Sequence, residues 1–402
     1  MLSYVIFLST LVFLASGTIL LFNHIMFLIT LMCIFSFACL VISLLALGIV
    51  LKNTDNKSET AHIETATNEL IVLTGCDSGI GLELANYIHT YTKYTIICGF
   101  LNISSDANGG GYERLQRLAE SDSEQRLILK KLDITSDEDV MAVKESIDEL
   151  KRSKRIKRVA ALINNSGVMT YGEFDWLTWT HIQSQIDVNL VGTLRLTRII
   201  VPYIVESKGR IINISSVNDA TVFPGLSVYS ATKSALSTFS QGLGYELRKF
   251  GVHVITIRLG DFARLTNILS SHAANRDEMW RAMDWKKKSL YGEFFHQFHD
   301  HLLQNYGMTS PKRFVDSNLF DDLSLALLSK KPPNSITCAP WPFRVFYFVI
   351  ELLPIWIRYH MLDILIQFGF KWRPSSQLSK DGGSVVSSSA PVASPEEASK
   401  SS

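Results

Sequence analysis

The chain has 402 residues, 39 Lys and Arg against 38 Asp and Glu, a net charge of +1 and a hydrophobic fraction of 47%. That balance excludes a strong net field that would attract nucleic acid. Five scattered cysteines, two of them in the apolar N-terminus, exclude a disulfide framework and a zinc site and fit a reducing compartment.

Residues 1–51 carry no Lys, Arg, Asp or Glu and are nearly continuously apolar apart from Asn23-His24. The stretch lacks a basic start and is too long for a cleaved signal, so we read it as a retained membrane anchor. One straight helix of that length would measure roughly 75 Å against a hydrocarbon core of about 30 Å. Two hydrophobic helices broken at Asn23-His24, or one pass with an interfacial segment, resolve the mismatch. Two passes put the N-terminus and the folded domain on one side, and Lys52 and Lys57 favour the cytosol, diluted by Asp55 and Glu59. We therefore expect a membrane protein, placed in the endoplasmic reticulum with its folded domain in the cytosol. Residues 52–67 are polar and read as a linker.

From residue 68 to residue 330 short β-branched runs alternate with longer helical stretches. Strands are expected at 70–74, 95–100, 127–134, 159–164, 210–215 and 252–259. This alternation predicts an α/β fold, a doubly wound parallel sheet with helices on both faces. Residues 262–330 depart from the rhythm with a helical region over 276–308 whose apolar positions include Met279, Trp280, Met283, Trp285, Phe294, Phe295 and Phe298. It reads either as a cover over a substrate site or as an amphipathic helix on the core. Within 331–373, residues 343–370 are aromatic and aliphatic but interrupted by Arg344, Glu351, Pro354, Arg358, His360 and Asp363. This pattern suits a helical extension lying in a membrane interface or walling an apolar cavity. The Ser-rich tail, 374–402, should be disordered.

Chemistry concentrates in two places. Thr74-Gly75-Cys76-Asp77-Ser78-Gly79-Ile80-Gly81 joins the first strand to a helix, where close backbone approach and helix N-terminal amides suit a pyrophosphate. Turn-only glycines are the alternative. Ser78 is not basic and Asp77 is acidic, so NAD is expected over NADP; the second strand ends Cys98-Gly99-Phe100-Leu101 without a ribose-binding acid, which leaves NADP open. Asp133 suits either the adenine amino group or a helix cap, and Asn165, Ser166 and Gly167, after Asn164, suit either the cofactor or a turn. The second place is Tyr229 and Lys233, four apart and so on one helical face, where an ammonium favours the ionised phenol. Asn102-Ile103-Ser104 and Asn213-Ile214-Ser215 match a glycosylation sequon; Asn213 falls in an expected buried strand and is set aside, while modification at Asn102 would overturn the cytosolic assignment.

Over residues 68–270 the order and spacing of the loop 74–81, Asn164 to Gly167, Val188-Asn189, Ile214-Ser215-Ser216 and Tyr229 to Lys233 resemble the short-chain dehydrogenases/reductases. The Cys-Asp-Ser loop looks like the subgroup of retinol, 17β-hydroxysteroid, 11β-hydroxysteroid and 3-hydroxybutyrate dehydrogenases, many of them NAD-linked and membrane-attached. The resemblance implies a Rossmann-type fold and NAD(P)-dependent redox chemistry on an apolar alcohol or ketone, in a homodimer formed through helices near 179–198 and 229–250. It implies Tyr229 as general acid/base, Lys233 as its electrostatic partner and ribose contact, Ser216 as holder of the substrate oxygen, and Asn189 as holder of a relay water. Thr266 stands where a nicotinamide carboxamide contact is expected, and Leu259 replaces a usual proline in Arg258-Leu259-Gly260-Asp261.

Overall fold

A computed structural model describes residues 26–38, 43, 68–103, 110–305, 314 and 318–369. It divides into two compact units, Met1–Glu64 with Ser324–Pro332, and Thr65–Leu323 with Pro333–Ser402. In the first, helix α1 (Met26–Ala38) is apolar, and Phe27, Met32 and Phe35 are exposed. The rest of the expected anchor, the linker and the tail lie outside the described residues.

The second unit is built on seven parallel strands: β1 (Glu69–Leu73), β2 (Thr95–Phe100), β3 (Leu127–Lys131), β4 (Arg158–Asn164), β5 (Arg210–Ser216), β6 (His253–Leu259) and β7 (Ser335–Cys338), in the order β3-β2-β1-β4-β5-β6-β7. Every residue of β1, β2 and β5 is buried, which is why β1 and β2 read as nearly continuous apolar runs rather than alternating ones, while β5 also buries Arg210, Asn213, Ser215 and Ser216. The strands expected from sequence are present with small shifts in their ends. The third is shorter than expected, because the chain leaves the sheet at Leu132. The seventh, Ser335–Cys338, was not expected at all.

Between the strands run α2 (Gly79–Tyr91), α3 (Gly111–Ser121), α4 (Asp137–Arg152), α5 (Trp179–Ile186), α6 (Thr193–Ser207) and α7 (Ser227–Leu247). Alternate residues of a strand face opposite sides. Leu70, Val72, Ile97, Leu162 and Ile211 pack with apolar residues of α4, α6 and α7, among them Val143, Ile200 and Leu247. The span Trp179–Ser207 is long and apolar enough to cross a membrane, but Leu196, Ile200 and Ile204 are wholly buried in this core. Its apolarity is that of a core helix.

The helical region expected over 276–308 is two helices, α8 (His272–Ala282) and α9 (Trp285–Asn305). Asp284 separates them and accepts the Lys287 amide at 2.8 Å. Both pack around buried Trp176 through Met279, Met283, Phe294, Phe295 and Phe298; Trp285 is instead exposed. Helix α10 (Leu319–Leu328) follows, and beyond β7 come α11 (Trp341–Leu352) and α12 (Ile355–Gly369).

Candidate active site

In an open parallel sheet the crevice forms beyond the carboxyl ends of the strands where the order reverses, here between β1 and β4. Two loops meet there. The buried Thr74 hydroxyl accepts the amides of Asn165 and Ser166 at 3.0 and 2.9 Å, and Asn165 Nδ2 donates to the carbonyls of Thr74 and Gly75 at 2.9 and 3.1 Å. Gly75 has φ +70°, and a Cβ on Gly81 would lie 2.0 Å from the Gly75 carbonyl oxygen. Ser78, the N-cap of α2, makes no side-chain cap bond, and no acidic residue occupies the first turn. The positive end of the helix is thus left for an anion. Gly81→Ala should push the loop away from the helix and weaken NAD binding by at least about tenfold, measured by isothermal titration, with the far-ultraviolet spectrum retained.

Asp77 shows a geometry that sequence reasoning did not anticipate. Its carboxylate accepts the Leu101 amide at 3.0 and 3.1 Å and the Asn102 amide at 3.2 Å, so it stands just past the end of β2. A negative charge is therefore present beside that strand end, supplied by the glycine-rich loop rather than by β2. Asp133 Oδ1 accepts the Thr135 amide and hydroxyl at 2.8 and 2.7 Å, while Ser136 caps α4. Thr266 packs over Gly79, its Cγ2 3.1 Å from where a Cβ would be.

Ser216 ends β5 and Tyr229 and Lys233 lie on α7, all buried. Lys233 Nζ donates to the Ile214 carbonyl at 3.0 Å and stands 5.7 Å from the centre of the Tyr229 ring. Burial pushes the Tyr229 phenol up to about 12; the Ser216 hydroxyl, hydrogen-bonded to it, acts downward and Asp219 upward. Burial pushes Lys233 down to about 8, against an upward pull from Asp219. Asn189 lies in a π-helical turn, Asp187–Gly192, between α5 and α6. Its side chain accepts the Val168 amide at 2.8 Å and donates to the Val168 carbonyl at 2.9 Å and to Thr232 Oγ1 at 3.1 Å. It ties the loop after β4 to α7, one residue from Lys233.

These parts open on one cavity of about 1030 Å³. Gly75, Asp77, Ser78, Gly79, Ile80, Gly81, Asp133, Asn165, Ser166, Gly167, Ser216, Tyr229 and Thr266 all line it; Thr74, Asn189 and Lys233 lie behind the lining. Among the described residues its wall has no Lys or Arg, whereas Asp77, Asp133, Asp261 and Glu278 reach it. Phe298, His301 and Leu302 of α9 also line it, as do Tyr347 of α11 and Leu362 of α12, so the late helices contribute to its wall.

The profile of a family described as short chain dehydrogenase matches residues 69–277, which span every motif above. The chain belongs to the short-chain dehydrogenase family. It is an NAD(P)-dependent oxidoreductase of the subgroup its loop resembled. It is 30% identical over 239 residues to the mitochondrial D-beta-hydroxybutyrate dehydrogenase of Rattus norvegicus, covering 59% of this chain and 67% of that one. It is 27% identical over 313 residues to 17-beta-hydroxysteroid dehydrogenase type 6 of Bos taurus (77% and 92%) and 25% identical over 329 residues to retinol dehydrogenase 7 of Rattus norvegicus (82% and 96%). In this short-chain dehydrogenase the glycine-rich cradle and the uncapped helix fit a dinucleotide pyrophosphate. Sequence reasoning missed the association of Asp219, Arg258 and Glu351 behind the site.

Proposed function

We propose that this dehydrogenase transfers hydride between NAD and a primary or secondary alcohol, or the matching carbonyl, of an apolar lipid of the steroid or retinoid class. The observation that carries the reading is a shared cavity. Tyr229 and Ser216 open on the same space as the glycine-rich loop, and Tyr171, Phe223, Leu226, Phe298, Leu302 and Tyr347 supply apolar wall beyond them. Such a wall favours a ligand with extended hydrocarbon surface.

The nicotinamide dinucleotide, when bound, accepts or delivers the hydride. The residues that would hold it are Gly75, Ser78, Gly79, Ile80, Gly81, Asp133, Asn165, Ser166, Gly167 and Thr266, with Lys233 as the expected ribose contact. Tyr229 exchanges a proton with the substrate oxygen. Ser216 donates to that oxygen and holds developing charge. Asn189 fixes the Val168 loop to α7 and, as a water holder, links Lys233 to solvent.

NAD is preferred over NADP because, among the described residues, a 2′-phosphate would meet acidic groups and no Lys or Arg in the cavity wall. Asp77→Asn should relax the ratio of kcat/KM for NAD over NADP by about tenfold, without a large change for NAD.

A membrane location, the endoplasmic reticulum with the catalytic unit in the cytosol, is supported by the apolar N-terminus. The exposed Trp341, Phe348, Leu352, Ile355, Trp356 and Tyr359 on and beside α11 and α12 suit a lipid interface. Exposed Trp179 on α5 and Tyr245 on α7 suit a second copy in a homodimer.

The test is NADH formation by full-length protein in detergent, with NAD and NADP separately, over estradiol, all-trans-retinol and 3-hydroxybutyrate, beside Tyr229→Phe. Tyr229-dependent turnover of a lipid alcohol with NAD is expected. Preference for NADP would replace the reading with a carbonyl reductase; NAD binding with no turnover in either protein would replace it with a non-catalytic scaffold.

A further inference from the structure

Behind the catalytic wall lies a partly buried charge cluster drawn from distant parts of the chain. Asp219 sits in the 3-10 turn Val217–Asp219 directly after Ser216, and its side chain is 4% exposed. From β6, Arg258 Nε donates to its two carboxylate oxygens at 2.8 and 3.0 Å, and Arg258 Nη2 approaches Oδ1 at 2.7 Å. From α7, Ser237 donates to Asp219 Oδ2 at 2.5 Å and Ser234, beside Lys233, donates to the Asp219 carbonyl. The same guanidinium grips Glu351 near the end of α11 through Nη2 and Nη1. From α12, Arg358 donates to the Ala220 carbonyl at 3.3 Å, to the Leu353 carbonyl at 2.8 Å and to the Glu351 carbonyl. One arginine therefore joins the turn after β5, the core strand β6 and the C-terminal helices.

We propose that Arg258 is a positioning residue that clamps α11 to the turn behind Ser216 and shields the Tyr229–Lys233 pair from Asp219, so that seating of the C-terminal helices tunes the acid/base. The inference rests on the reading of Tyr229 as that acid/base. Asp219 disfavours the phenolate and favours the ammonium, as a negative neighbour must. Arg258 offsets that charge, and Glu351 competes for the same guanidinium. A change at α11 thus reaches the phenol through Arg258 and Asp219. Facing Asp219 are Arg258 of β6, Glu351 of α11 through that arginine, and Ser234, Ser237, Lys233 and Tyr229 of α7; Arg358 of α12 reaches the neighbouring carbonyl.

The test uses full-length protein in detergent with NAD and needs no substrate. The ionisation of Tyr229 is followed by tyrosinate absorbance against pH, after subtraction of the Tyr229→Phe profile. Asp219→Asn should lower the midpoint by about half a pH unit and Arg258→Met raise it by a similar amount, with Arg258→Lys restoring most of the change. The double variant Arg258→Met with Asp219→Asn should return to the Asp219→Asn value, since the arginine acts through that carboxylate. Glu351→Gln should accelerate amide exchange in α11 and in residues 217–220 together, by about tenfold. A midpoint unmoved by Asp219→Asn, or exchange unchanged by Glu351→Gln, overturns the proposal, and both variants keep side-chain shape if Arg258→Met fails to fold. Failure of the underlying reading looks different: Tyr229→Phe would then retain turnover whatever the cluster does.

Discussion

Tyr229→Phe should lower kcat by about 10³-fold while leaving NAD affinity within about twofold, because it removes one oxygen and keeps the ring that packs the site. The phenol is buried and pushed up to about 12, so in the chain alone it holds its proton at neutral pH. It is therefore a ready donor to a carbonyl oxygen, and acts as a base only when positive charge beside the ring brings it down. Alcohol oxidation should accordingly rise with pH across the neutral range, and carbonyl reduction should not. Steady-state rates in both directions against pH, for wild type and variant, decide this. A variant within tenfold of wild type would remove Tyr229 from the chemistry.

Lys233→Met should abolish turnover and raise the melting temperature at pH 7. Lys233 is buried, and desolvation pushes its ammonium down to about 8 from an ordinary 10.5. Below about 8 both folded and unfolded chains hold the proton, and the folded state bears the full burden of burying it, about 3 kcal/mol. Loss of the hydrogen bond to the Ile214 carbonyl offsets part of that, on the order of 1 to 1.5 kcal/mol. The wild type should regain stability as pH rises from about 8 toward 10.5, because the unfolded chain then binds more protons than the folded one, and the gap to Lys233→Met should close. Thermal unfolding of both proteins at pH 7 and pH 9.5 measures it. A variant less stable than wild type at pH 7 would show that the site does not strain the fold.

The parts of this molecule legible in its sequence are those with local signatures. Buried parallel strands announce themselves as short β-branched runs, and the glycine-rich loop and the Tyr229–Lys233 spacing each fit within one strand-to-helix turn or one helical face. β7 escaped because four residues between Pro-containing segments, in a stretch dominated by aromatic helices, carry too little pattern. The break between α8 and α9 escaped because Met283 and Asp284 interrupt an apolar periodicity that continues on both sides. Asn189 was legible as a residue, but not its π-helical turn or its grip on Val168, since bulges have no sequence period. The link between Arg258, Asp219 and Glu351 was invisible for a different reason. Their relation exists only once β6, the turn after β5 and α11 are brought together by the sheet.

The pairing of β7 alongside β6, from Thr256 with Ser335 to Leu259 with Cys338, has a bearing on biosynthesis. β6 leads into the Leu259–Phe262 loop that lines the cavity, yet its outer edge is completed only by residues made after α8, α9 and α10. A nascent chain can thus carry every expected catalytic side chain while still presenting an open, apolar strand edge, the kind of template that recruits other chains. A nonsense codon shortly after residue 330 would leave the four residues expected to be catalytic intact in sequence and still yield a product destined for aggregation or degradation rather than a shortened enzyme.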